Sequence, residues 1–301
     1  MLAAPVLSRL RHLEAQIEYN RMLSAQALIH RIQSLNPAET RLLDVEFKVF
    51  SQWGEDGIIQ YLISNVPIEN EVFVEFGVED YREANTRFLL MNNDWKGLVM
   101  DGSPENIGKI KGHQISWRHH IQAVPAFITR ENINELLVSN GIKGDIGLLS
   151  VDIDGNDYWV WEAIDVVSPR IVICEYNSIL GPDRALTIPY KADFFRTSAH
   201  FSNHYFGASL KAFYLLAQKK GYTFVGCNRM GANAFFVRND VVGNLYVPTL
   251  EEGFVETRAR ESRNPDGSLS FLGGKDRIRI MEQMEMWDVE AQKLVRLKEI
   301  I

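Results

Sequence analysis

Val72-Phe-Val-Glu-Phe-Gly-Val-Glu-Asp-Tyr-Arg-Glu-Ala-Asn-Thr86 reads as a short buried strand that runs into an acid and a glycine, then a polar turn, then a helix. Gly77 lets a ligand or a neighbouring backbone come close, and Asn85 and Thr86 can cap the helix and donate to a carboxylate. Glu75 is suited to accept from an ammonium group. This mixture fits a zwitterionic amino-acid moiety. A pyrophosphate would be repelled by Glu75, Glu79 and Asp80, and the Gly-x-Gly-x-x-Gly fingerprint of dinucleotide folds is missing. Taken alone, the motif also fits a plain strand-to-helix turn.

Outward from it, short apolar runs alternate with helical stretches, the signature of a parallel sheet wrapped by helices. Strands are expected at 72–76, 97–101, 120–124, 147–152, 170–175, 222–226 and 234–237. Only seven residues, Cys227 to Asn233, separate the last two, too few for a crossover helix, so they should pair antiparallel. The fold class is therefore α/β: a Rossmann-like, seven-stranded sheet, parallel with an antiparallel last strand, flanked by terminal helices. Three regions are expected: an N-terminal amphipathic helix in 1–36, a main domain in 37–248, and a C-terminal loop and helix in 249–301. Leu10, Leu13, Ile17, Leu28 and Ile32 make the first helix amphipathic, with Asn20 and Ser24 interrupting its stripe. It either docks on the main domain or pairs with a second protomer. Ile280, Met284, Trp287, Ala291 and Leu294 predict the final helix. The stretch 177–203, with Gly181-Pro182 and Pro189, is read as an insertion over the carboxyl edge of the sheet, a substrate lid.

Chemistry-bearing residues gather at the predicted strand ends. Asp101, in Leu98-Val-Met-Asp-Gly-Ser103, stands where an acid accepts both ribose hydroxyls of a nucleoside, with Gly102 and Ser103 beside it. Asp152 and Asp154 are candidate bases or metal ligands, while Asp157 caps a helix. Glu175 and Asn177 end the fifth strand and, with Asp152, would complete an oxygen site for magnesium or hold a sugar hydroxyl. His200 and His204 are further candidates for the base. Zinc-type pairs, Gly-x-Ser-x-Gly and the phosphate-binding Gly-Lys-Ser/Thr loop do not occur.

A formal charge of −7 argues against unspecific binding to nucleic acid or an anionic membrane surface. The two cysteines, Cys174 and Cys227, lie in apolar runs and read as buried thiols, in keeping with a cytoplasmic location. No run approaches the roughly 20 apolar residues of a membrane span.

With these segments placed, the chain resembles the FkbM-like family of S-adenosylmethionine-dependent methyltransferases. The matching motifs are Ser51-Gln-Trp-Gly-Glu-Asp-Gly57, Phe73-Val-Glu-Phe-Gly77 with Asn85-Thr86, Ser150-Val-Asp-Ile-Asp-Gly155, and Glu175-Tyr-Asn177 followed by Tyr205-Phe-Gly-Ala-Ser-Leu210. They span about residues 50 to 238. The resemblance implies methyl transfer to oxygen, often on a saccharide or glycan-linked group, with S-adenosylmethionine as cofactor. By it Glu75, Phe76, Gly77 and Asp101 become cofactor contacts, and Ser51 and Gln52 line the same pocket. Two departures stand out: the second glycine of the cofactor loop is replaced by Glu79-Asp-Tyr-Arg-Glu83, and Ser150 stands where many relatives carry a lysine. The competing expectation is a non-catalytic binding or assembly subunit that keeps the fold.

Overall fold

The computed structural model describes residues 4–300. Its strands are β1 (Val72–Phe76), β2 (Lys96–Asp101), β3 (Ile121–Pro125), β4 (Gly144–Val151), β5 (Val167–Glu175), β6 (Leu186–Thr187), β7 (Tyr222–Cys227), β8 (Asn233–Arg238), β9 (Glu285–Asp288) and β10 (Lys293–Arg296). Seven of them form one sheet in the order β3-β2-β1-β4-β5-β8-β7. β1 to β5 pair parallel, and β8 runs antiparallel to both β5 and β7. This is the Rossmann-like arrangement expected from the sequence, with the order reversing at β1 and β4. Ligand crevices open at such a reversal, outside the carboxyl ends of the strands.

The sheet is buried on both faces, which explains why its strands read as continuous apolar runs. Side chains alternate between two cores: Val74, Phe76, Leu98, Met100, Leu149, Val151, Val172 and Cys174 pack on one face. Phe73, Val99, Leu148, Ile171 and Ile173 pack on the other. Trp161 anchors the first core against Phe213, Tyr222 and Phe236. At the amino edge, Arg170 and Arg238 converge on Asp145 and tie β4, β5 and β8 together. Both cysteines are buried and free.

The first helix, Ala4–Gln33, lays Met22, Ala25, Ile29 and Ile32 on the main body and joins Glu18 to Arg87. Among the described residues no helix is long and apolar enough to cross a membrane.

The predicted C-terminal helix is not formed. Residues 285–296 carry the β9–β10 hairpin, which pairs with β6 of the lid in a second, three-stranded antiparallel sheet. Apolar residues three and four apart imitated a helical stripe. The decisive local signal is the turn at Asp288, whose carboxylate accepts from the Glu290 and Ala291 amides at 3.0 and 2.8 Å, followed by Gln292 at φ +53°. Met286 and Val295 then fall on one buried face with the alternation of strands.

Candidate active site

A cavity of about 820 Å³ opens along the carboxyl ends of β1, β2, β4 and β5. Its floor depends on Gly77, which sits at φ +69° with its amide bonded to the Met100 carbonyl at 2.9 Å. A Cβ on Gly77 would lie 1.7 Å from the Asp152 carbonyl oxygen, so only glycine allows β1 and β4 to close here.

Glu75 is 4% exposed and bound on both oxygens. One accepts from the Asn85 amide at 2.8 Å, the other from the Thr86 amide at 3.0 Å and hydroxyl at 2.5 Å. Burial raises its pKa to about 7 against these hydrogen bonds. The sequence reading is corrected at this point. The donors at Asn85 and Thr86 face the protein's own carboxylate, because β1 delivers Glu75 directly beneath the loop. Thr86 is fully buried away from the cavity, whereas Glu75, Phe76 and Asn85 line it. Asn85 also donates to Ser150 at 3.1 Å.

Asp101 ends β2 with Oδ2 held by the Glu79 amide and Oδ1 by the Ser103 amide, each at 2.8 Å. Oδ2 keeps a second lone-pair direction for a ligand hydroxyl, while Oδ1 also takes a long contact from Asn106 Nδ2 at 3.4 Å, one that a hydroxyl can displace. The acidic insertion thus has a structural use: Glu79, at φ +47°, turns its amide onto Asp101. Gly102 and Ser103 line the cavity, and Ser103 caps the following helix. Gln52 lines it too. Ser51 does not: its amide and hydroxyl bind Asp56, which also gathers the Val49 and Phe50 amides. Ser51 is a buried organiser of that loop.

Across the switch point, Asp152, Asp154 and Glu175 bring one oxygen each within 4.8 Å of one another. Burial and mutual repulsion push Asp152 and Glu175 well above the ordinary carboxylate range. Arg196, from the short lid helix Arg196–Ala199, opposes this. It pairs with Asp154, donates to the Asn203 carbonyl at 2.9 Å and stacks 3.7 Å from the Phe206 ring centroid. Asp157, expected to cap the helix, is instead its first residue after Asn156, and its carboxylate holds the preceding loop through the Ile153 and Gly155 amides.

Two further candidates are engaged within the protein. Asn177 lines the cavity, but its Nδ2 donates to the His204 and Phe206 carbonyls and its Oδ1 accepts from the Ile179 amide, leaving one lone-pair direction on that oxygen. It fastens the lid because β5 ends under the returning segment. His200 bonds Ser202 and does not line the cavity. His204 does line it, and burial lowers its pKa to about 4, leaving a neutral ring.

Sequence reasoning missed the far wall. Arg277, buried beside Glu256, reaches the cavity from the C-terminal segment together with Thr257, Ala259 and Glu261. No spacing in that polar segment signals it. Phe127 and Phe195 stack at 6.0 Å at the rim, an adjacency that only the lid's path creates. Glu175 Oε2, His204 Nε2 and Arg277 Nε are buried without a hydrogen-bond partner, and all three residues line the cavity.

No protein-family model and no curated protein matches this chain. Among solved structures it is similar to the N-terminal domain of EvdMO1 with SAH bound, at 9% identity and TM-score 0.40 over 71% of this chain and 94% of that one. It is also similar to an S-adenosylmethionine-dependent methyltransferase from Clostridium acetobutylicum, at 10% identity and TM-score 0.38 over 61% and 90%. A putative caffeoyl-CoA O-methyltransferase from Staphylococcus aureus is similar at 13% identity and TM-score 0.38 over 61% and 82%.

Proposed function

We propose that this chain transfers a methyl group from S-adenosylmethionine to a hydroxyl of a polyhydroxylated, saccharide-like acceptor. The observation that carries the reading is the joint placement of two halves in one cavity. Asp101, with both oxygens aligned by backbone amides, stands at a glycine-floored crevice on one side. The cluster Asp152, Asp154 and Glu175 stands on the other, under the lid. The first half suits a nucleoside, its ribose on Asp101 and its amino-acid end toward Glu75 and Asn85. The second suits a hydroxyl that must lose a proton.

Bound S-adenosylmethionine supplies an electrophilic methyl on sulfur. The chain's own residues align the attacking oxygen with it, which in favourable cases provides roughly 7–11 kcal/mol of barrier reduction. As the oxygen–methyl bond forms and the methyl–sulfur bond breaks, the hydroxyl proton passes to Asp152 or Glu175. A carboxylate whose pKa is raised is the better base near neutrality, and Arg196 keeps a fraction of the cluster ionised. The lining supports a polar acceptor: Asn156, Glu175, His204, Asn233 and Arg277 each hold a buried polar atom without a hydrogen-bond partner, the groups that a polyhydroxylated ligand would satisfy.

The spacing of the three acids also fits a divalent cation such as magnesium, with Asp154 in place of the expected Asn177. Such an ion would lower the hydroxyl pKa, and Arg196 would have to release Asp154. Calorimetry against S-adenosylmethionine, its demethylated product and NAD tests the cofactor: binding of the first two and not the third is expected, and no binding of either sinks the proposal. Methyl transfer to a panel of sugars tests catalysis; a chain that binds the cofactor and transfers nothing is a binding subunit. Activity in chelator separates the metal-free from the metal-assisted form.

A further inference from the structure

The helix Ala4–Gln33 serves two surfaces. At 3.6 residues per turn, Met22, Ala25, Ile29 and Ile32 occupy one arc, and this is the arc that packs on the main body. Leu10, Leu13, Ile17, Ser24 and Leu28 occupy a second arc about 100° further round. Its apolar members face solvent: Leu10 is 44% exposed, Leu13 51% and Ile17 53%. The docked face accounts for the helix's attachment and leaves this stripe unexplained. Beside the stripe lies a groove of about 390 Å³, lined by Ile17, Ser24 and Leu28 of the helix and by Phe47 and Val49 of the neighbouring loop.

We propose that the stripe is the seam of a parallel, in-register two-helix contact with a second copy of this chain. The steps Leu10, Leu13, Ile17, Asn20, Ser24 alternate three and four residues, the spacing of a coiled-coil seam. Arg9 and Glu14 are exposed, flank the seam on opposite sides, and stand five residues apart. In a parallel pair with matched register, Arg9 of each helix faces Glu14 of the other, so one sequence satisfies both sides of the two-fold axis. A partner of different sequence would have no reason to supply the same charges in the same order. Asn20, at a d position of the seam, meets its own copy in this register, at a cost in stability. Because the docked arc points about 100° away from the seam, the two main bodies lie on either side of the pair.

Sedimentation equilibrium of the full chain tests this. The wild type is expected at twice the chain mass, and Leu13→Glu with Ile17→Glu at the single-chain mass with the circular dichroism of the main body unchanged. Arg9→Glu and Glu14→Arg each weaken association at least several-fold, and the double exchange restores it. Leu10→Cys and Ser24→Cys each cross-link to their own copy on oxidation, which an antiparallel pair does not allow at both sites. A monomeric wild type, a dimer that survives the two glutamates, or a double exchange weaker than both single ones overturns the proposal.

Discussion

Replacing Asp101 by Ala should abolish nucleoside recognition while leaving the acceptor half of the cavity in place. Asp101 lines the cavity with each carboxylate oxygen accepting one amide at 2.8 Å, and the further contact on Oδ1 from Asn106 Nδ2 is long at 3.4 Å and displaceable, so two ribose hydroxyls bind a preoriented anion. Hydrogen bonds to a charged group contribute about 1.5–3 kcal/mol each. Two of them set a loss of about 3–6 kcal/mol, or roughly 10²- to 10⁴-fold in Kd for S-adenosylmethionine. Asp101 also holds the Glu79 and Ser103 amides, so weakened binding alone would be ambiguous. A cycle with a 2′,3′-dideoxy analogue separates the two causes. The analogue should bind wild type about as weakly as the natural cofactor binds Asp101→Ala, and the variant should not distinguish the two ligands. Calorimetry supplies all four values. A variant that still prefers the hydroxylated ligand by more than threefold would show that the ribose lies elsewhere.

Gly77→Ala must either open β1 from β4 or strain a left-handed residue, with the added carbon 1.7 Å from the Asp152 oxygen; a lowered melting temperature and at least a 100-fold loss of cofactor affinity are expected, and near-wild-type binding would refute the close floor. Arg196→Met removes the cation that opposes the three acids, so the acid limb of the pH–rate profile should move to higher pH and activity at neutral pH fall at least tenfold; an unmoved profile would remove Arg196 from the site. Glu75 holds its proton up to about pH 7 in the fold and only to about 4.5 when unfolded. Its contribution to stability is therefore fully present below pH 4.5 and is lost as pH rises through 7, by at most about 3 kcal/mol. Urea unfolding of wild type and Glu75→Gln between pH 4.5 and 8 should show wild type losing ground to the variant as pH rises, and a constant difference would refute it.

The sheet was legible because its strands are buried on both faces. Val72–Phe76 and Arg170–Glu175 are short apolar runs with an acid at or next to the carboxyl end, and the short Cys227–Asn233 connection left antiparallel pairing as the only geometry. The C-terminal hairpin was not legible, because its order depends on a distant partner. β9 has only β6 and β10 to pair with, and β6 is two residues long in the middle of the lid. Apolar spacing in 280–294 satisfied a helix as well as it did a strand, and tertiary pairing decided between them.

At the site, sequence pattern located acids at strand ends but could not assign their free valences. Glu75, Asn177 and Ser51 all stand where the pattern places them, and all three have their hydrogen-bonding capacity turned toward the protein: Glu75 to the Asn85–Thr86 loop, Asn177 to the lid, Ser51 to Asp56. Asp101 and Glu175 look no different in sequence, yet one lines the cavity with a lone pair left on Oδ2 and the other keeps a whole oxygen without a partner. The distinction follows from where the chain returns after each strand. After β1 it doubles back over Glu75 and consumes it. After β5, Asn177 captures the lid two residues further on and spares Glu175 from that task. A carboxylate left over once its own loop is secured is the one available to a ligand; on the proposed function, this assigns the acceptor chemistry to Asp152 and Glu175 and leaves Glu75 to shape the cofactor cradle from below.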